Sequence, residues 1–298
     1  LSLSLGIVLK ERLDMHRKLP VWLKKKIPNM KRVEETRDIL KRFNLNTVCE
    51  NAKCPNIGEC FSRQTATFMI LGDVCTRNCG FCAVKNGVPL PVDNDEPKRL
   101  SEAVSQLGLK HVVITSVTRD DLSDYGAGQF ADVVDKIRKH NKNTSIEILT
   151  PDFKGNKECI DHVVRSGPDV FGHNVETIQE LYRKVRQKAD YRTSLHVLEV
   201  VKKLNSEIVT KSGIMVGLGE GKEGVLEVMD DLSNVGCDLL TIGQYLSPSK
   251  NHTPVMEFIT PEIFEEYKKL AEDKGFIVAS GPFVRSSYKA DELFAMAK

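Results

Sequence analysis

Short β-branched runs alternate with amphipathic helical stretches through the middle of this chain, and that alternation limits the fold more than any other feature. Candidate strands lie at Thr67–Gly72, His111–Val117, Ser145–Pro151, Asp169–Glu176, Ile208–Val216 and Asp238–Leu246. Helix-like segments separate them at Pro97–Leu107, Gln129–His140, Lys157–Ser166, Ser194–Leu204 and Gly224–Val235. Pro261–Lys274 follows the sixth strand, and Gly275–Ala279 is a candidate short seventh. Each helical segment carries one apolar stripe at spacings of three and four, as in Leu100, Val104 and Leu107 or Val133, Val134 and Ile137. Gly108, Gly167, Gly236 and Gly275 follow helical segments, where left-handed caps are expected. Strand–helix alternation of this kind implies parallel strands joined by right-handed crossovers. The strands are nearly all apolar, so both sheet faces should be covered. The fold class expected is therefore α/β, an incomplete parallel (β/α)6 barrel, with a doubly wound open sheet as the alternative.

A barrel of this kind occupies residues 63–283, preceded by an N-terminal extension (1–62) and followed by a short C-terminal tail (284–298). With 41% apolar residues in 298, a sizeable core is expected. No apolar run approaches the roughly 18 residues needed to span a membrane, so no membrane association is expected. Leu1–Leu9 is apolar but has neither a basic flank before it nor a small-residue cleavage site after it, so a secretory signal is not expected. The chain opens on Leu and Met15 is an alternative start, which leaves residues 1–14 unassigned.

Net charge is only +2, yet residues 1–42 carry +7 and the remainder −5. A solvated basic face, including Lys24, Lys25 and Lys26, accounts for this; docking of an acidic partner protein is the sharper alternative. Basic residues do not dominate elsewhere, so no nucleic-acid partner is expected.

Six of the eight cysteines fall into two triads, Cys49-x4-Cys54-x5-Cys60 and Cys75-x3-Cys79-x2-Cys82. Without an export signal the compartment expected is the reducing cytoplasm, where clustered cysteines point to metal or catalysis rather than disulfides. Zinc sites are built from paired C-x2–4-C units with four ligands, a pattern that two triads and no intervening histidine fit poorly. A cubane iron–sulfur cluster wants four ligands; a triad supplies three, leaving one iron open to a small molecule. Cys159 and Cys237 stand alone and read as small buried apolar residues. The second triad follows the first strand, and the polar stretches Thr118–Asp121 and His173–Glu176 follow later ones, at the barrel end where parallel α/β barrels carry their chemistry.

The Cys75-x3-Cys79-x2-Cys82 spacing, with Phe81 before the last cysteine, resembles the signature of the radical S-adenosylmethionine enzymes. The run from Cys49 to Cys60 resembles the auxiliary-cluster motif of the lipoyl synthase family, and Arg285-Ser286-Ser287-Tyr288 is similar to that family's C-terminal signature. The resemblance runs from about Leu23 to Tyr288. It implies two 4Fe-4S clusters, one held by Cys75, Cys79 and Cys82 and binding S-adenosylmethionine through its open iron. The other would be held by Cys49, Cys54, Cys60 and a serine, Ser287 by position or Ser286 as fallback. It further implies insertion of two sulfur atoms, drawn from the auxiliary cluster, at C6 and C8 of an octanoyl chain on a lysine of a lipoyl carrier domain. Such carriers belong to 2-oxoacid dehydrogenase complexes or the glycine cleavage system. A ferredoxin or flavodoxin would supply electrons, and a monomer is expected. C–H bonds of this kind yield to no side-chain base, which explains the need for a radical cofactor.

Gly213–Glu220 resembles the strand whose glycines let backbone approach the adenine, which makes Gly217 and Gly219 cofactor-binding candidates beside a plain glycine-rich turn. Asn174 and Glu176, two apart at a strand end, should point the same way and reach ribose hydroxyls. Arg192 is the candidate for the carboxylate of S-adenosylmethionine. Ser116–Asp120 stands where related enzymes bind its amine, with no matching residues. His173 and His196 read as structural. The alternatives are another sulfur-inserting radical enzyme, acting on biotin precursors or transfer RNA, and a non-catalytic iron–sulfur redox scaffold.

Overall fold

The computed structural model describes residues 19–25 and 28–298. Residues 1–14 and Lys26 of the basic run lie outside them. Among the described residues ten strands form in chain order: β1 (Asn46–Thr47), β2 (Thr67–Ile70), β3 (Val74–Cys75), β4 (Lys85–Asn86), β5 (His111–Ser116), β6 (Ser145–Leu149), β7 (Val170–Gly172), β8 (Val209–Val216), β9 (Leu239–Gln244) and β10 (Ile277–Gly281). The main sheet runs β1-β2-β5-β6-β7-β8-β9-β10, and β3 and β4 pair separately. From β2 to β10 every neighbouring pair is parallel, while β1 is antiparallel to β2.

Spatial order follows chain order without reversal, which settles the choice between barrel and open sheet. A doubly wound sheet must reverse direction at a switch point; here each crossover advances one strand the same way. Because β10 does not pair with β1, the barrel stays open. The short seventh strand forms, at Ile277–Gly281, and extends the parallel array one strand beyond six units.

Each of the six long helical segments forms within a few residues of its expected limits. Gly108, Gly167, Gly236 and Gly275 all take left-handed φ values. Leu100, Val104, Val133 and Ile137 pack with Ile114, Ile146 and Ile148 in one fully buried layer, and Val228, Met229 and Leu232 cover Val216 and Ile242 further along the barrel wall. Strand residues alternate in direction, so the neighbours of these apolar positions point the other way. Glu147 of β6 and Lys211 of β8 are examples; they meet across β7 at 2.7 Å with almost no exposure. The inner face is thus less apolar than the strand composition suggested.

The 284–298 tail is more than a strand of coil. Its helix, Ala290–Ala295, places Leu293 and Phe294 among Val170 and Leu239, the first residues of β7 and β9. It therefore fills the barrel at the N-terminal strand ends and leaves the C-terminal ends open. Among the described residues, no helix is long and apolar enough to cross a membrane.

Candidate active site

A cavity of about 520 Å³ opens at the C-terminal ends of the strands and is bordered by all six clustered cysteines, Asn174, Glu176, Ser286 and Ser287. Small-molecule sites commonly span about 300–1,000 Å³. Cys49 sits in a one-turn helix (Val48–Asn51) capped by Thr47, whose hydroxyl accepts the Glu50 amide at 3.3 Å. The Cys54 amide returns to the Cys49 carbonyl at 2.9 Å, and Cys60 lies on the next helix, Ile57–Ser62. A turn and two short helices thereby bring three thiols separated by four and five residues to one side of the cavity.

The second triad lies on a loop fastened on every side. Gly80 donates to the Val185 carbonyl at 2.9 Å and accepts from the Thr253 amide at 2.7 Å. A side chain at Gly80 would run into Thr253 Oγ1, 2.6 Å from an ideal Cβ, which accounts for the glycine. Arg77, between the first two cysteines, donates to Asp120 at 2.8 and 2.9 Å and to Asp152 at 2.5 and 2.7 Å. Both carboxylates follow strand ends, β5 and β6, so the fork of one guanidinium pins the loop to the barrel rim. The amides of Arg77 and Thr118 point at Cys75 Sγ from 3.4 and 3.3 Å. Hydrogen bonds to ligating sulfur are among the controls on cluster potential.

Burial, with a smaller contribution from the neighbouring thiols, pushes Cys60 up to about 12 and Cys82 up to about 12. Burial likewise takes Cys49 to about 11. Bare, these thiols hold their protons; a cationic group must displace them to be ligated. Among the described residues no three His, Cys, Asp or Glu side chains group closely enough for a single metal ion. Two soft three-thiol sets around one cavity suit clusters rather than one ion.

Asn174 and Glu176 do converge, but not by strand alternation. β7 stops at Gly172, and Glu176 takes a positive φ of 68° while bridging to β8. Asn174 Nδ2 then donates to Glu176 Oε1 at 3.1 Å. Burial pushes the Glu176 carboxyl up, opposed by Arg186 and Asn174.

Arg192 is exposed on the Tyr191–Leu204 helix and does not border the cavity. Arg186 does, buried, with Nη1 donating to the Asn174 carbonyl at 3.0 Å and its Nε without a partner among the described residues. No spacing or motif marked Arg186; it precedes the helix on an irregular segment that only the crossover brings back to the cavity. Gly217 and Gly219 also lie off the cavity lining. Both have positive φ, and a Cβ on Gly217 would collide with Gln244 and the Glu257 carbonyl, so packing explains that turn. Met215 and Gly213 line the cavity instead.

His196 is exposed, whereas His173 is 1% exposed and borders the cavity. Its Nδ1 lies 2.9 Å from the Thr150 carbonyl, which makes Nδ1 the donor and leaves Nε2 as an acceptor with no partner among the described residues. Burial, then the Arg186 charge, lowers it to about 4, so the ring is neutral near pH 7. Unpartnered polar atoms on His173 and Arg186 fit a polar ligand in the cavity. Cys159 and Cys237 are buried, as expected.

A parallel partial barrel with a C-x3-C-x2-C loop at its C-terminal rim defines a radical S-adenosylmethionine enzyme, and the Radical SAM superfamily model matches residues 69–232. The fold is similar to that of HydG, a maturase of FeFe-hydrogenase, at TM-score 0.57 and 12% identity over 92% of this chain and 62% of that one. Methylornithine synthase (PylB) matches at TM-score 0.54 and 15% identity, over 83% and 74% respectively. A second model, the N-terminal domain of lipoyl synthase, matches residues 6–54. Lipoyl synthase of Caldicellulosiruptor saccharolyticus is 58% identical over 93% of this chain and 98% of its own length. That of Alkaliphilus metalliredigens is 56% identical, over 92% and 94%. The chain belongs to the lipoyl synthase family.

Proposed function

We propose that Cys75, Cys79 and Cys82 hold the 4Fe-4S cluster that binds S-adenosylmethionine, and that Cys49, Cys54, Cys60 and Ser287 hold the auxiliary 4Fe-4S cluster. The enzyme inserts two sulfur atoms, at C6 and C8, into an octanoyl chain bound to a lysine of a lipoyl carrier domain. When bound, the two clusters supply reductive cleavage of S-adenosylmethionine and the sulfur itself. The protein's own part is binding and positioning. The Arg186 guanidinium faces the S-adenosylmethionine carboxylate, Asn174 and Glu176 take the ribose hydroxyls, and neutral His173 accepts a hydrogen bond at Nε2. Arg77 holds the cysteine loop still against the rim.

One observation carries this reading: both thiol triads border the same cavity. Hydrogen removal and sulfur delivery concern the same carbon, so both groups must reach it. Ser287 is preferred over Ser286 because the Ser286 hydroxyl donates to Asn174 Oδ1 at 2.9 Å, while that of Ser287 has no partner among the described residues. We assign residues 1–62 to an extension carrying the auxiliary ligands, 63–283 to the barrel and 284–298 to the tail. The carriers are those of 2-oxoacid dehydrogenase complexes or the glycine cleavage system, the electron donor a ferredoxin or flavodoxin, and the working form a monomer. Eight free cysteines favour a cytoplasmic setting.

The test is anaerobic. Protein reconstituted with iron and sulfide receives S-adenosylmethionine, reductant and an octanoyl-lysine carrier domain, and the carrier is weighed. A gain of two sulfurs with loss of two hydrogens is expected in the disulfide product. Formation of 5′-deoxyadenosine with an unmoved carrier mass would refute the substrate.

A further inference from the structure

Three segments distant in sequence meet beside the first cysteine triad: the arm, through Lys25 and Pro28, the Cys54–Ser62 stretch and the tail at 283–288. Glu59 sits at their centre and uses both carboxylate oxygens. Oε2 accepts from Lys25 Nζ of the arm at 2.7 Å, and Oε1 accepts from the Tyr288 hydroxyl of the tail at 2.7 Å. Asn56, 1% exposed, works the same way: Oδ1 accepts from Lys25 at 2.5 Å and Nδ2 donates to the Phe283 carbonyl at 2.7 Å. The Lys25 ammonium also lies over the rings of Phe283 and Tyr288, at 4.7 and 5.4 Å from their centroids. Pro28 closes on Gly58 so tightly that a Cβ there would stand 2.5 Å from Pro28 Cγ.

These contacts bracket Ser287. Ser286 on one side is tied to Asn174, and Tyr288 on the other is tied to Glu59. A hydroxyl is a weak ligand beside thiolates, so its place at the cluster depends on how firmly its backbone is held. We propose that Lys25, Asn56, Glu59 and Tyr288 form a latch that seats Ser287 against the Cys49/Cys54/Cys60 triad, with the N-terminal arm as its bolt. The inference rests on Ser287 being the fourth ligand. It also gives Lys25 an internal task, in place of the docking role that the basic run suggested.

Tyr288→Phe removes one hydrogen bond to a carboxylate and nothing else. Lys25→Met withdraws the bolt, and Gly58→Ala displaces the arm through Pro28. Two readouts on the cluster-loaded chain separate the possibilities: amide hydrogen exchange of residues 284–288, and loss of auxiliary-cluster iron to a chelator. Each variant should speed exchange of the tail on the order of tenfold, the scale of a hydrogen bond to a charged group, with β8 and β9 unchanged. Auxiliary iron should leave faster, while 5′-deoxyadenosine formation in the absence of carrier stays at the native rate. Native tail exchange in both Tyr288→Phe and Lys25→Met would overturn the latch. So would native iron loss in Tyr288→Phe where Ser287→Ala loses iron faster, since the serine would then hold its place unaided. Native iron loss in Ser287→Ala itself would refute the ligand assignment, and the purpose of the latch with it.

Discussion

Asp152→Asn tests how the radical-generating loop is held. The change keeps the side-chain shape, and Oδ1 still accepts from the Lys154 amide at 3.0 Å. What disappears is the charge facing Arg77 and the Oδ2 acceptor of Nη1 at 2.5 Å, where an amide NH2 now meets another donor; Oδ1 at 2.7 Å from Nη2 remains. Burial by itself would raise the Asp152 carboxyl, but Arg77 more than offsets it and takes the group from an ordinary 3.8 to about 2. That depression corresponds to roughly 2–3 kcal/mol of folding stability. Because the folded value lies below the unfolded one, the contribution is complete above pH 4 and is lost as pH falls from there toward 2. Removing one partner of a buried pair costs about 3–5 kcal/mol in general, but Asp120 remains on Arg77, which favours the lower figure. The measurement is a urea titration of native and variant protein, anaerobic and cluster-loaded, with hydrogen exchange of residues 76–82. The expected gap is roughly 2–3 kcal/mol, constant from pH 5 to 8, with local opening of the loop about 30- to 100-fold more frequent. Native stability in the variant would mean that Asp120 alone satisfies Arg77. A gap that changes between pH 5 and 8 would show that another group controls the clamp.

Lys211→Met should cost about 3–5 kcal/mol in thermal unfolding, because Glu147 is left charged and buried, and adding Glu147→Gln should recover much of it. Arg186→Gln should weaken S-adenosylmethionine binding about ten- to hundredfold in a titration, whereas Arg192→Gln, on the exposed helix face, should leave it unchanged. Ser287→Cys should keep a full complement of auxiliary iron yet stop carrier sulfuration, since a thiolate ligand binds iron more firmly than a hydroxyl. Gly217→Ala combines a left-handed φ of 96° with a steric collision, and should lower the unfolding midpoint with little effect on the iron content of correctly folded protein.

Local spacing carried much of this protein's chemistry into view. Both triads lie within short runs whose thiols are gathered by a turn, a pair of short helices or one loop, so their sequence spacing already reports their geometry. The helices behave alike, since a stripe at three and four residues is a property of the segment itself. Winding direction, by contrast, depends on which strands pair, and only the unreversed order from β2 to β10 excluded the open sheet. Asn174 and Glu176 meet through a bent backbone rather than through strand alternation, because β7 ends early where its partner β8 continues. The Arg77 clamp and the Glu59 junction were illegible for a shared reason: their partners are 34 to 229 residues away, whereas Arg186 bonds within 12 residues, on an irregular segment that no spacing marks. A charged side chain in a sequence reads as solvated until tertiary contacts bury it, and only burial turns one arginine or lysine among 43 into a fastening. The clustered thiols were thus set by local spacing, while Arg186 and His173 at the cavity, and the residues that hold the thiols in place, were set by the fold.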